Sequence, residues 1–181
     1  MVYILVDNNV NIMNISFRKL ESKDLSDHVR WFNDPEVSQY LGEQIRNGTT
    51  LEKQKKWFSS ASKDNASKTF VIEVDKKPVG NVSLIEINNI DKNAGVSVFI
   101  GEKEYWGKGV AKKALEFIID QGFTNIDIHK LWIHVFEPNK RAIKFYKKTG
   151  FIQEGYHTEM VRIDDKYYDE IFMSMTNPNH K

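Results

Sequence analysis

Residues 105–111 read Tyr105-Trp106-Gly107-Lys108-Gly109-Val110-Ala111, and they separate two apolar segments of different period. The segment before them, 95–100, is short and apolar, which is typical of a buried strand. In 107–121 the apolar residues recur at helical spacing, and 131–136 is a second strand-like run. A helical crossover of this length joins parallel strands through a right-handed connection. The order strand, helix, strand therefore predicts a βαβ unit.

The two glycines of this loop, Gly107 and Gly109, suit an approach of the backbone to a ligand. The first turn of the helix that follows has unpaired N–H groups and the positive end of the helix dipole, which together favour a pyrophosphate. No Gly-Lys-Ser/Thr follows and a third glycine is missing, so the loop matches neither the Walker A pattern nor the full dinucleotide fingerprint. Taken alone, the pattern fits a plain strand-to-helix turn equally well.

Hairpins are predicted on both sides of the βαβ unit. Segments 69–75 and 78–87 form one around Asp75-Lys76-Lys77, and segments 151–163 and 166–175 form a closing pair. Hairpin strands are antiparallel while the crossover strands are parallel, so the sheet must be mixed. The expected fold is a single-domain α/β structure with a mixed central sheet and helices on both faces.

Helix ends are predicted from capping and breaking residues. Ser22 is expected to cap a first helix that Pro35 stops, and Thr49, with a glutamate three residues later, a second. Gly122 is expected to end the helix of the βαβ unit. Asn139 is expected to cap a last helix that runs through 149.

Composition narrows the function classes. The chain has 181 residues, 40% of them hydrophobic, and a formal net charge of +1, so nucleic-acid binding through bulk phosphate attraction is not expected. It has no cysteine, which excludes disulfides, cysteine metal sites and a cysteine nucleophile, and no metal site is predicted. No apolar stretch approaches the roughly 20 residues of a membrane helix, and no secretory signal is recognised, so a cytoplasmic location is expected. The predicted domains are an extension at 1–14, the main domain at 15–176 and a tail at 177–181.

Two motifs resemble those of the GNAT N-acetyltransferase superfamily. Residues 98–111 are similar to its motif A, whose pattern Gln/Arg-x-x-Gly-x-Gly/Ala maps onto residues 106–111, with Trp106 in place of the usual Gln or Arg. That departure is common in the branch of ribosomal-protein N-terminal and amino-sugar acetyltransferases. Residues 139–151, where Asn139 precedes a helix ending in Tyr146 and a Gly-Phe pair, resemble motif B. The similarity runs from about residue 15 to about residue 175.

The resemblance implies that acetyl-coenzyme A lies in a V-shaped opening between two splayed parallel strands. It also implies a set of cofactor contacts: the backbone of Val98, Phe99 and Ile100 at the pantetheine arm, the N–H groups of Trp106, Gly107, Lys108, Gly109, Val110 and Ala111 at the pyrophosphate, Asn139 near the arm, and Tyr146 beside the thioester sulfur. Many relatives form dimers, so a homodimer is a family expectation.

Acetyl transfer to an amine requires a neutral amine, a stabilised oxyanion and a protonated leaving thiolate. Tyr146 is the predicted general acid. For the base, His134 is named because an imidazole titrates near neutrality, and Glu137, Glu86 and an ordered water stay open as rivals.

On the acceptor side, Trp31, Asn33 and Glu86 are the predicted substrate contacts. The resemblance leaves three amine acceptors open: a protein N-terminus, an amino sugar or aminoglycoside, and a polyamine. A strongly acidic pocket would favour a polyamine or an aminoglycoside. The alternative function is a non-catalytic module that binds acyl-coenzyme A and senses its level.

Overall fold

The computed structural model describes residues 13–179, so the predicted extension lies largely outside the described residues. Its centre is one seven-stranded sheet with the order β1-β2-β3-β4-β5-β7-β6. Neighbouring strands are antiparallel except β4 and β5, which are parallel, so the predicted mixed sheet and both predicted hairpins are confirmed. The strands are β1 Ile15–Lys19, β2 Lys68–Val74, β3 Lys77–Asn88, β4 Asn93–Ile100, β5 Lys130–Phe136, β6 Ile152–Ile163 and β7 Lys166–Thr176.

The described helices are α1 Leu25–Phe32, α2 Pro35–Ser38, α3 Glu43–Arg46, α4 Leu51–Ala61, α5 Val110–Asp120 and α6 Lys140–Lys148. Within residues 13–179, none of them has the length and apolar character that a membrane-spanning helix needs.

Two of the predicted helix starts are wrong by one residue. Glu21, not Ser22, is the cap of the short 3-10 turn that leads into α1: its N–H donates to the Asp24 carboxylate at 2.9 Å, and the Asp24 N–H donates to the Glu21 carbonyl at 3.0 Å. Thr50, not Thr49, caps α4 through a bond from the Lys53 N–H. Two adjacent threonines offer equivalent hydroxyls, and the sequence does not distinguish them.

Two predicted helix ends also differ. Pro35 does not stop α1, which ends at Phe32; it is the first residue of α2, where its missing N–H is not needed. Gly122 does not stop α5, because the chain continues through a wider π-helical turn at Gln121–Asn125. Asn139 caps α6 as predicted, with its side chain accepting the Ala142 N–H.

α1 and α5 cover opposite faces of the sheet. Val98 and Ile100 of β4 pack against the core that contains the buried side of α5. Phe99, which lies between them, contacts Trp31 and Phe32 of α1 instead. Successive side chains of a strand point to opposite faces, so this alternation places the two helices on either side of β4.

β4 and β5 separate after only three pairs of residues. They pair at Asn93–Lys130, Ala94–Leu131 and Gly95–Trp132, and no pair follows. At the last pair there is no space for a side chain at position 95, because a Cβ on Gly95 would lie 2.8 Å from the Trp132 ring. The rest of both strands diverges and opens a V-shaped gap in the middle of the sheet.

Candidate active site

The gap between β4 and β5 is the floor of a large cleft of about 1390 Å³. Val98, Phe99 and Ile100 line it and lie beyond the last pair with β5, so the edge of β4 that faces the gap has no strand partner. An unpaired strand edge offers its N–H and C=O groups to an extended ligand. This matches the arm of coenzyme A that the resemblance places there.

The glycine loop closes one end of the cleft. Gly107 and Gly109 have φ angles of 74° and 84°, in the left-handed region that other residues avoid. A Cβ built on either meets nothing within 4 Å, so the space in front of the loop is open. The Lys113 N–H bonds to the Gly109 carbonyl, which leaves the preceding N–H groups of the first turn of α5 without a helical acceptor. The loop therefore has the backbone geometry of an anion site.

Trp106 fixes this loop to both walls of the cleft. Its indole N–H donates to the Ile100 carbonyl at 2.8 Å, and the Arg141 guanidinium lies 4.6 Å from the centre of its ring. Arg141 belongs to α6 and lines the cleft, and sequence reasoning missed it. Two other predicted loop contacts differ. Val110 is buried, so only its N–H is a candidate for ligand contact. The Lys108 ammonium lies over the Tyr105 ring, and the Lys108 N–H already donates to the Tyr105 carbonyl at 3.4 Å.

Charges along the cleft are segregated. The basic lining side chains all lie on α5 and α6, whereas the acidic ones lie on α2, β3 and β7. They are Lys112, Lys140, Arg141 and Lys148 on one side, and Glu36, Glu86 and Glu170 on the other. The helix side therefore suits phosphates, and the opposite side suits a cation.

Tyr146 and Asn139 both line the cleft from α6. The Tyr146 ring is 5% exposed and packs edge-on against Phe145 and Phe151. Its hydroxyl has no hydrogen-bond partner among the described residues, and burial raises its pKa well above the ordinary value. The phenol therefore keeps its proton at neutral pH, which a general acid requires.

His134 lines the cleft from β5, and its Nδ1 lies 2.9 Å from Glu170 Oε2. The two atoms are close, but their alignment falls short of a hydrogen bond, and Nδ1 is buried without any other partner among the described residues. Glu170 lies on β7, two residues from the position paired with His134, and was not predicted as a site residue. Its only signal in the sequence is that it follows Asp169, so that two acidic residues precede the apolar part of β7.

The two glutamates considered as rival bases are placed differently. Glu137 binds Lys140 at 2.8 Å and is not among the residues that line the cleft. Glu86 lines the cleft, is exposed, and has no ion pair with any described residue. Its φ of 50° lies in the left-handed region, at an irregularity of β3 opposite β4. Such strain in a non-glycine residue is common at functional sites.

The structure does not bring Trp31 and Asn33 to this cleft. Trp31 is 2% exposed, packs beneath Gly101 and donates its indole N–H to Glu102 at 3.0 Å. The Asn33 side-chain amide donates to the Thr49 carbonyl and accepts the Thr49 N–H. Asn33 instead lines a second cleft of about 1110 Å³, which shares Gln39, Phe136 and Glu170 with the first.

Comparison with known proteins identifies the family. Residues 14–152 match the family model for the acetyltransferase (GNAT) domain. The chain is 31% identical over 156 residues to the spermidine N(1)-acetyltransferase of Vibrio cholerae, covering 86% of this chain and 88% of the relative. It is 31% identical to the spermidine N(1)-acetyltransferase of Escherichia coli, over 88% of this chain and 84% of the relative.

A solved structure agrees with the sequence matches. The spermidine N-acetyltransferase of Vibrio cholerae, in complex with CoA and spermine, superposes with a TM-score of 0.84 at 30% identity, over 90% of this chain and 95% of that one. The splayed strands, the open glycine loop and the basic helix side fit the same coenzyme. The chain belongs to the GNAT acetyltransferase family and is an acetyl-CoA-dependent N-acetyltransferase.

Proposed function

We propose that the acceptor is a polyamine of the spermidine class. The observation that carries this is the charge of the acceptor side of the cleft, where Glu86 and Glu170 are acidic and no Lys or Arg of β3 or β7 lines the same space. Glu36 contributes less, because its carboxylate is bound to Lys103 at 2.9 Å. Carboxylates that no Lys or Arg neutralises attract ammonium groups and would repel the carboxylates and phosphates of other acceptors. The names of the Vibrio cholerae and Escherichia coli relatives support the same substrate.

The shape of the site supports a long acceptor. The second cleft meets the first at Glu170, Gln39 and Phe136, so the acidic side of the cleft continues into further open space. A polyamine places one primary amine at the reacting centre and carries its other ammonium groups several bonds away. The continuous space gives those distal groups room, and Glu170 lies where the two clefts meet.

Tyr146 is the general acid in this proposal. The acetyl group arrives as a thioester, and the leaving thiolate must receive a proton for transfer to be completed. Tyr146 presents a hydroxyl that is not engaged by any described residue and that stays protonated because burial raises its pKa. It lines the cleft near Asn139, where α6 meets the gap between the strands. The free backbone edge of β4 is the candidate donor for the oxyanion.

His134 is the proposed base. It lines the cleft from β5, and its Nδ1 atom lies 2.9 Å from Glu170 Oε2. Glu86 and an ordered water remain the alternatives, whereas Glu137 is held away by Lys140. A base is needed because most free primary amines carry a proton at neutral pH.

The test is coenzyme A release from acetyl-CoA, followed with a chromogenic thiol reagent across polyamines, aminoglycosides, amino-sugar nucleotides and peptides with free N-termini. The protein has no cysteine and adds no thiol background. We expect saturable release with spermidine and spermine at the lowest amine concentrations. Preferred release with a peptide or amino sugar would contradict the polyamine proposal. Binding of acetyl-CoA without release for any amine would favour the sensing module.

A further inference from the structure

His134, His157 and Glu170 form a compact group, the His–His–Glu cluster, on one face of the sheet. The Glu170 Oε2 atom lies 2.9 Å from His134 Nδ1 and 3.4 Å from His157 Nδ1. One nitrogen or oxygen from each of the three side chains lies within 4.8 Å of the others. The cluster joins the acceptor side of the cleft, lined by His134 and Glu170, to the exposed surface at His157.

The strand register brings the three residues together. His157 of β6 is paired directly with Glu170 of β7. On the other side of β7, His134 of β5 is paired with Phe172, two residues along the strand from Glu170. Residues two apart on a strand share a face, so the three side chains leave the sheet on the same side. Their proximity is thus a consequence of the fold and does not depend on one side-chain rotamer.

Among the described residues, the His134 Nδ1 atom is the buried, unpartnered ligand atom of the cluster. It is buried and has no hydrogen-bond partner among residues 13–179, although Glu170 Oε2 is only 2.9 Å away. A buried polar atom without a partner is costly, and an absent ion or water is one of the physical reasons for such an atom. The nearby carboxylate, 16% exposed, makes a cation the better occupant.

The donor set has a preferred metal. Two imidazole nitrogens and one carboxylate oxygen suit a borderline divalent cation such as Zn²⁺, and three protein ligands leave a fourth tetrahedral position open. Ligand atoms around tetrahedral zinc lie about 3.4 Å apart, given Zn–N and Zn–O bonds of about 2.1 Å. The separations in the cluster bracket that value. The His157 side chain is 54% exposed and has room to turn its ring toward a shared ion.

We propose that the His–His–Glu cluster is a zinc-binding site whose occupation inhibits acetyl transfer. A bound ion would engage the Glu170 carboxylate and the His134 imidazole and add positive charge to the acceptor side of the cleft. Zinc would therefore compete with the amine and leave the acetyl-CoA side free. The inhibition, but not the binding, rests on the proposed polyamine function.

Metal binding is measured first, on the full chain without a histidine tag. Isothermal titration with ZnCl₂ and the visible absorption of bound Co²⁺ report binding without any turnover. We expect one ion per chain, with affinity lowered at least ~10-fold in His157→Gln and in Glu170→Gln. His129→Gln is the matched control, since it removes an exposed histidine that is not in the cluster, and it should bind as the wild type does.

Inhibition is measured by chromatography of the acetylated amine, because zinc would bind the free thiol that a thiol reagent detects. His157 lines neither cleft, so His157→Gln should keep the activity of the wild type without metal and lose most of its inhibition by zinc. The wild type and His157→Gln are compared at the same concentration of free zinc. Zinc bound by the amine or by the coenzyme therefore lowers that concentration equally in both assays. In the wild type, zinc should raise the KM for the amine and leave the KM for acetyl-CoA unchanged.

Equal zinc affinity in the wild type and His157→Gln would show that the His–His–Glu cluster is not the zinc site. Zinc binding that depends on His157 but leaves turnover unchanged would contradict the proposed inhibition. Cluster-dependent binding in a protein that acetylates no polyamine would keep the metal site and reject the polyamine function instead.

Discussion

Tyr146, the proposed general acid, shows how the surroundings of one residue suit it to a chemical role. Its ring packs edge-on against Phe145 and Phe151. Its hydroxyl lies at the wall of the cleft and has no hydrogen-bond partner among the described residues. Burial raises the pKa of the phenol, so it holds its proton far into the alkaline range. Such a group serves as an acid and is a poor base at neutral pH.

Tyr146→Phe should therefore lower kcat by about 100-fold, the usual contribution of a positioned general acid, while acetyl-CoA affinity stays nearly unchanged. Steady-state kinetics and calorimetry of coenzyme binding separate the two effects. Tyr156→Phe is the matched control, because Tyr156 is 60% exposed and lines neither cleft. An unchanged kcat in Tyr146→Phe would remove this residue from the mechanism.

At the scale of elements, the glycine loop and α5 form one candidate binding site for the coenzyme. The loop reaches left-handed φ angles at Gly107 and Gly109, and this aims the first turn of α5 into open space. The same loop is fixed at Trp106 by the Ile100 carbonyl and by Arg141. We therefore expect the edge of β4, the loop and α5 to bind a single extended coenzyme together.

Gly109→Ala should weaken coenzyme A binding by about 10-fold, because an alanine at φ 84° is strained by about 1–2 kcal/mol and relieves that strain by moving the loop. Isothermal titration with coenzyme A measures the loss. Gly155→Ala is the control: a Cβ there also meets nothing within 4 Å, but Gly155 lies in β6 outside both clefts and is not in the left-handed region. Equal affinity in the two variants would contradict the role of the loop.

The elements that sequence reasoning predicted best are those specified locally. Periodicity and turn residues indicated the βαβ unit and the hairpins, and the Asn139 cap lies where the side-chain chemistry required it. The approach of Glu170 to His134 was missed because β7 inserts between β5 and β6, an order that no local pattern encodes. Trp31 is buried and does not line the cleft, and its prediction as a substrate contact fails because aromatic residues of a core and of a cleft have the same signature in a sequence.

At the scale of the whole molecule, His28 ties α1 and α4 to the sheet. It is 1% exposed, with Nδ1 facing the Gln54 carbonyl oxygen at 3.2 Å and Nε2 receiving the Asn81 amide. This arrangement uses the neutral imidazole, with one donor and one acceptor nitrogen. Burial lowers the pKa of His28 below its ordinary value of 6.5, although both hydrogen bonds oppose the shift.

Stability should therefore fall as the pH drops below about 6.5. In that range the unfolded chain binds a proton at His28 before the folded chain does, so unfolding is favoured by up to about 1.4 kcal/mol for each pH unit until the lowered folded pKa is reached. Urea unfolding at pH 7.5 and pH 5.5 measures the difference. His28→Gln should be less stable at pH 7.5 but lose less on acidification. The same loss in both proteins would show that His28 is not responsible.

The central claim is that the cleft selects a multiply charged amine through Glu86 and Glu170. Its most direct test is the ratio of kcat/KM for spermidine to that for butylamine, which has the same kind of primary amine but no further charge. The claim predicts a ratio of at least ~10, because a charged hydrogen bond contributes about 1.5–3 kcal/mol. Glu86→Gln should lower the ratio about 10-fold, and Glu137→Gln, whose carboxylate lies off the cleft beside Lys140, should not. A ratio near one in the wild type, or no change in Glu86→Gln, would contradict the claim.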